Sequence, residues 1–185
     1  MVTVEAPGPI PSSEELARIL LDAGAVRFGA FTLTSGQQSD YYVDVKRAWT
    51  DPARLDTIAR ALAARVGGAD RLAGMELGAV PLVVATALRT NRPYLVLRKG
   101  AREHGTRQPF EGEVPAGARV LLIEDVASTG GSLARSVEIV RAAGGIVDRA
   151  LVVVDREMGA TEQLAAAGVR LEPLLTIADL RGARR

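Results

Sequence analysis

Val120-Leu121-Leu122-Ile123-Glu124-Asp125-Val126-Ala127-Ser128-Thr129-Gly130-Gly131-Ser132 is the stretch on which the reading of this chain turns. Its first four residues are continuously apolar. Such a run suits a strand covered on both faces, as in a parallel sheet between two layers of helices. The adjacent carboxylates Glu124 and Asp125 follow, then a hydroxyl- and glycine-rich turn, then a helix. Leu151-Val152-Val153-Val154 is a second run of the same kind. Working outward, strands are predicted near 71–75, 93–98, 119–123, 146–154 and 171–175, alternating with helices near 80–90, 131–143 and 159–167. That alternation predicts an α/β fold, with a mostly parallel sheet flanked by helices and joined by right-handed crossovers.

The first third of the chain reads differently. Ser12 and Glu15 have the spacing of a capping box, and Leu16, Ile19, Leu20 and Ala23 follow a helical period that Gly24 ends. Strands are predicted over 26–33 and 41–46, separated by the turn-rich Thr34 to Ser39. Asp51-Pro52 supplies an N-cap and a first-turn proline for a helix whose apolar face is Leu55, Ile58, Ala59, Leu62 and Val66. Residues 1–11, with three prolines and a glycine, read as a flexible lead-in. Residues 12–185 read as one domain, with 12–50 contributing a small N-terminal lobe and 181–185 a frayed basic end. The break from Lys99 to Ala118 is long and rich in Gly and Pro, which marks it as functional or mobile.

Composition removes several classes of function. There is no cysteine, so disulfides and thiolate metal sites are excluded, and His104 is the lone histidine. The net charge is +1, which argues against a dedicated nucleic-acid binder, as does the lack of an added helix-turn-helix or basic face. No stretch approaches the roughly 20 apolar residues of a membrane span, and the N-terminus lacks the basic start and apolar core of a secretory signal. The expectation is a cytoplasmic protein that engages neither membrane nor nucleic acid.

The turn after the strand has the chemistry of a phosphate site. Gly130 and Gly131 permit close backbone approach, Ser128, Thr129 and Ser132 offer hydroxyls, and the helix start offers free N–H groups and a positive dipole end. The pattern is neither a Walker A loop nor a Gly-x-Gly-x-x-Gly dinucleotide loop. Two carboxylates beside it would repel a bare anion. They fit a ligand that also carries hydroxyls or a metal ion, as a ribose 5-phosphate with magnesium does. A solvated strand end followed by an ordinary capping turn explains either half alone, but not the two joined behind an apolar strand.

This segment resembles the signature of type I phosphoribosyltransferases, which bind phosphoribosyl pyrophosphate (PRPP): an apolar strand, two acids, then a Ser/Thr-Gly-Gly-Ser/Thr loop. The resemblance implies that fold, with a small N-terminal hood lobe. It implies that Glu124 and Asp125 hold the ribose hydroxyls, and that Ala127, Ser128, Thr129, Gly130, Gly131 and Ser132 hold the 5-phosphate. Three further segments are similar to those of orotate phosphoribosyltransferases. Phe31-Thr32-Leu33-Thr34-Ser35-Gly36 with Ser39-Asp40-Tyr41-Tyr42-Val43-Asp44 resembles their base-binding segment. Gly74 to Leu82 resembles their pyrophosphate loop, which implies that Leu77 and Gly78 touch PRPP. Arg98-Lys99-Gly100-Ala101-Arg102-Glu103-His104-Gly105-Thr106 resembles their catalytic loop. The implied catalytic residues are Asp125, Lys99, Arg102 and His104, with Arg98 also on PRPP. Arg156, Ser128 and Thr34 are implied for orotate. Mg2+, held mainly by PRPP near Asp125, and a homodimer with shared sites are implied as well.

Read without the family, the basic loop concentrates Arg98, Lys99, Arg102, His104 and Arg107 in a chain of nearly zero net charge. Cations aimed at a leaving pyrophosphate lower the barrier to its departure; the plain alternative is a solvated basic loop. Arg156 ends an apolar strand, where a guanidinium fork suits a ligand carboxylate. The plain alternative there is an ion pair with Asp155 or Glu157. The chain departs from the pattern at Thr34, where many members have Lys, with Lys46 or Gln37-Gln38 as candidate replacements. Arg102 stands where a second lysine is usual, and Gly78 lacks the basic side chain of some members. A phosphoribosyltransferase for another base is the nearest rival reading.

Overall fold

The computed structural model of the chain describes residues 8–32, 38–100 and 108–184. Helix α1 (Ser13–Asp22) starts where the capping pattern predicts, with Ser12 Oγ accepting the Glu15 N–H at 3.1 Å, but the return bond to the Glu15 side chain is not formed, so the capping box is only half made. Strands β1 (Val26–Thr32) and β2 (Gln38–Val43) form a separate antiparallel pair with a bulge between Phe28 and Phe31. The strand expected to reach 46 stops at Val43. The Asp44 N–H turns back to Ala25 O, Val45 enters the core, and a short helix α2 (Lys46–Trp49) follows. Helix α3 (Pro52–Ala63) is capped by Asp51, whose carboxylate accepts the Arg54 N–H at 2.9 Å.

Then come β3 (Arg71–Met75), α4 (Val80–Thr90), β4 (Tyr94–Leu97), β5 (Phe110–Glu111), β6 (Val120–Ala127), α5 (Gly131–Ala142), β7 (Arg149–Asp155), α6 (Ala160–Ala166), β8 (Arg170–Thr176) and α7 (Ile177–Gly182). The six-stranded sheet has the order β5-β4-β3-β6-β7-β8, parallel throughout except for the short edge strand β5. The α/β fold class is borne out. Further details differ from the sequence reading. β5 lies inside the expected break. β6 runs on through both acids to Ala127, because β7 keeps pairing with it as far as Ala127 and Asp155. β7 begins at Arg149, while Ile146 makes only an isolated bridge to Arg119. Helix α7, started by a reciprocal capping box between Thr176 and Asp179, runs into the expected frayed end as far as Gly182.

The alternation of side chains along β6 divides the core. Leu121 and Ile123 join a cluster with α1, α3, α4, the β1–β2 hairpin and Leu151 and Val153 of β7. Val120 and Leu122 face the other way, into a cluster with Leu133, Val137 and Val140 of α5 and Leu164 of α6. Pro11, at the end of the expected lead-in, is also buried. Gly74 in β3 is needed for the α4 contact. A Cβ there would sit 2.7 Å from both Ala79 Cβ and Val83 Cγ2. Leu122 is fully buried on the α5 side. Leu122→Ala is expected to lower the unfolding free energy by about 2–5 kcal/mol, read by urea denaturation with an unchanged m-value.

Candidate active site

In the parallel sheet the carboxyl ends of β3, β4, β6 and β7 share one edge, where open α/β sheets bind ligands. The described candidates gather along it. Leu77 and Gly78 follow β3, Arg98 and Lys99 follow β4, Glu124 and Asp125 lie near the end of β6, and Arg156 follows β7. Thr34, Arg102 and His104 lie outside the described residues.

Glu124 is only 6% exposed. Its Oε2 accepts from Ser132 Oγ at 3.1 Å, and its Oε1 from the Asp125 N–H at 3.2 Å. Burial first, and the neighbouring Asp125 charge second, push its pKa up to about 8. Asp125 is half-buried, and its Oδ1 accepts the Val126 N–H at 2.9 Å. The carboxylate lies directly against Gly78: a Cβ at that position would meet Asp125 Oδ2 at 2.5 Å and Cγ at 2.7 Å. The absence of a side chain at position 78, a departure when read in sequence, is what lets the β3 loop close on the acid.

The phosphate-type turn has an unfilled cap. The N-cap residue Gly130 has φ 90, and among the described residues no side chain accepts the first N–H groups of the twelve-residue α5. Gly130 is pressed against α6, with Ala160 Cα 3.1 Å from where a Cβ would be, while space beside Gly131 is open. Ser128 Oγ accepts from Arg156 Nη1 at 3.1 Å, and the Arg156 N–H donates to Ala127 O at 2.9 Å.

Arg156 has no carboxylate partner among the described residues. Its Nε donates to Tyr41 Oη at 3.3 Å, and its Cζ lies 5.1 Å from the Tyr41 ring centroid. Asp155 instead accepts from the Glu157 N–H and Thr161 Oγ1, and Glu157 accepts from the Ala178 N–H. The ion pair offered as the plain alternative for Arg156 is therefore not formed.

The segments flanking 101–107 are pinned to one another. The Arg98 N–H donates to Pro109 O at 2.8 Å, and the Lys99 N–H to Glu76 Oε1 at 2.9 Å. The Arg98 guanidinium bonds Glu111 Oε1 through Nη2 at 2.6 Å and Nε at 3.0 Å. Lys46 Nζ pairs with Asp44 Oδ1 at 2.8 Å. Asp44 holds its pKa above the usual lysine range, and the charge of Asp125 adds to the effect. Glu76, Glu111 and the Tyr41 hydroxyl were not singled out from the sequence. Tyr41 lay inside the Tyr41-Tyr42 pair and Glu76 inside the Gly74 to Leu82 segment, but neither was given a role, and Glu111 carried no signal.

Comparison with known proteins narrows the chemistry. A phosphoribosyl transferase domain model matches residues 49–168. The orotate phosphoribosyltransferase of Natronomonas pharaonis is 51% identical over 91% of this chain and 97% of its own length. The crystal structure of the Aeropyrum pernix enzyme of that name superposes with a TM-score of 0.80 at 38% identity, covering 90% of this chain and 96% of that one. The Mycobacterium tuberculosis orotate phosphoribosyltransferase, solved with PRPP, gives a TM-score of 0.77 at 33% identity over 92% of this chain and 99% of that one. This chain belongs to the orotate phosphoribosyltransferase family. The family implies a magnesium ion. Among the described residues no group of three or more His, Cys, Asp or Glu side chains forms a metal cage. Asp125 is a half-buried carboxylate beside the phosphate-type turn. That donor set fits Mg2+, which keeps waters and takes its remaining oxygens from a phosphorylated ligand.

The burial of Glu124 has a measurable consequence. An unfolded chain releases that proton near 4.5, whereas the folded protein holds it to about 8. Between those values the folded state binds more protons, so unfolding free energy falls as pH rises. Glu124→Gln should remove that slope. Its thermal midpoint relative to wild type is expected to climb from about pH 5 to about pH 8; a constant difference across the window would refute the assignment.

Proposed function

We propose that this protein transfers the 5-phosphoribosyl group of PRPP to orotate, giving orotidine 5′-monophosphate and pyrophosphate in de novo pyrimidine synthesis. The observation that carries this reading is Arg156. A guanidinium without a carboxylate partner among the described residues stands one hydrogen bond from Ser128 of the phosphate-type turn. A carboxylated base held there would lie beside a sugar phosphate held by the turn.

We assign the roles accordingly. The free N–H groups at the start of α5, with the Ser128, Thr129 and Ser132 hydroxyls and the backbone from Ala127 to Gly131, take the 5-phosphate. Asp125 and Glu124 take the ribose hydroxyls. A protonated Glu124 lowers the negative charge facing the phosphates and can donate to a hydroxyl oxygen. Leu77 and Gly78 border the pyrophosphate. A ring nitrogen of orotate, losing its proton, bonds to the ribose carbon as the bond to pyrophosphate breaks and its electron pair leaves with pyrophosphate. The protein's part is positioning and charge stabilisation. Lys99, Arg102 and His104 bring positive charge to the departing group; Arg98, tied to Glu111, holds the base of their loop. Ser128 and Thr34 complete the orotate side, with Lys46 near Asp125 replacing the lysine missing at position 34. Mg2+ carried by PRPP beside Asp125 would neutralise pyrophosphate charge. We assign the active form as a cytoplasmic homodimer in which the 98–107 loop serves the neighbouring site.

Loss of absorbance by orotate, with PRPP and with or without magnesium, tests the reaction. Turnover of orotate but not of hypoxanthine, adenine or uracil is expected, and failure with orotate would overturn the proposal. Arg156→Ala is expected to raise the orotate KM about 10- to 100-fold, the loss of a charge-assisted pair, with a smaller effect on PRPP. Gly78→Ala drives a methyl into Asp125 and should abolish most of the thermal stabilisation that PRPP and magnesium confer. An undiminished shift would show that the contact is not needed for binding.

A further inference from the structure

Arg181 lies on α7, in the stretch that reads from sequence as a loose basic end. Its Nη2 donates to both carboxylate oxygens of Asp40, at 2.8 and 2.9 Å. Its Cζ lies 5.5 Å from the centroid of the Tyr41 ring, the same ring that Arg156 approaches at 5.1 Å. The two cations thus share one aromatic side chain. The Asp40 carboxylate neutralises Arg181, so the ring carries one compensated guanidinium and one with no carboxylate partner among the described residues. Tyr41 is itself buried, and its hydroxyl bonds Arg156 twice. It accepts from Nε at 3.3 Å and donates to the Arg156 backbone oxygen at 3.4 Å.

The other end of α7 is tied to the same place. The Ala178 N–H donates to Glu157 Oε2 at 3.2 Å, directly beside Arg156 in the chain. Arg184, just past α7, sets its Cζ 4.6 Å from the Phe28 ring centroid, and Phe28 pairs with Tyr41 across the β1–β2 hairpin. The helix therefore spans the gap between the hairpin and the end of β7, touching the neighbours of both Tyr41 and Arg156. An exposed ion pair such as Arg181–Asp40 contributes little to global stability. Its effect is geometric, because it fixes where the Tyr41 ring and hydroxyl stand.

We propose that Arg181 is a positioning residue for the base: through Asp40 and Tyr41, α7 holds the Arg156 guanidinium in the orientation that receives the orotate carboxylate. The inference rests on the assignment of Arg156 to orotate made above. It extends that site to α7, outside the residues assigned above to orotate and PRPP. Residues next to Arg156 and Tyr41 become selectivity determinants for the base while leaving the PRPP end of the site alone.

Steady-state kinetics of the full chain, with orotate and PRPP varied separately and the thermal midpoint measured alongside, test it. Arg181→Gln should raise the orotate KM about 3- to 10-fold, the scale of one exposed charge pair with a cation–π contact, and leave the PRPP KM and kcat unchanged. Asp40→Asn should do the same, and the double variant should be no worse than either single one. Arg181→Lys keeps the charge but not the planar fork, and should fall between wild type and Gln. If Arg181→Gln does not fold, Asp40→Asn and Arg181→Lys carry the test. An unchanged orotate KM in these variants overturns the proposal, as does a parallel rise in both KM values with a lowered midpoint. A wild type that turns over no orotate overturns the assignment of Arg156 itself. A wild type active on orotate with insensitive Arg181 and Asp40 variants overturns only the role of α7.

Discussion

Strand β6 is enclosed on every side but one. β3 and β7 take its hydrogen bonds, and separate apolar clusters cover its two faces. Side chains along Val120 to Ile123 have no route to water, so the first polar groups the strand can afford come at Glu124 and Asp125. That constraint places the acids at the edge of the sheet, and the tight Gly130 turn, pressed against α6, then aims the start of α5 at the same spot. The rest of the site is assembled around this point by the neighbouring strands.

Charge in the site is arranged so that opposite demands do not collide. A sugar phosphate needs positive potential at its phosphates and hydrogen-bond partners at its hydroxyls. In the proposed function the start of α5 supplies the first. Two ionised acids side by side would weaken it, and burial, with the neighbouring Asp125 charge, lessens that conflict by raising the Glu124 pKa to about 8. On the other side, Arg156 is kept from neutralisation because Asp155 and Glu157 are engaged by backbone N–H groups. Each carboxylate next to Arg156 in the chain is held by a hydrogen bond of its own, and among the described residues none pairs with the guanidinium.

Much of the site was legible before any coordinates. An apolar strand, two acids and a Ser-Thr-Gly-Gly-Ser turn state their chemistry locally, because strand, turn and helix start are contiguous. The cap of α7 was legible too, in Thr176 and Asp179 at capping-box spacing, but a short basic segment drew attention to its charge instead. Gly78 shows the limit of the local view. In sequence it is a missing side chain; in space it is the room that Asp125 occupies. Arg98 shows the same limit from the other side, since only the pairing of β4 with β5 brings Glu111 to its guanidinium.

The sequence by itself determined the α/β class, the sheet-edge location of the acids and the phosphate-type turn, since each depends on residues adjacent in the chain. Tertiary structure alone decided which groups face one another across long separations. It set Tyr41 against Arg156, Arg181 against Asp40 and Gly78 against Asp125. The physical reason is that hydrophobic periodicity specifies which face of an element is buried but not which polar side chain will stand opposite it. That is settled only when the hairpin, the end of β7 and α7 pack together and their charges find partners within hydrogen-bond reach.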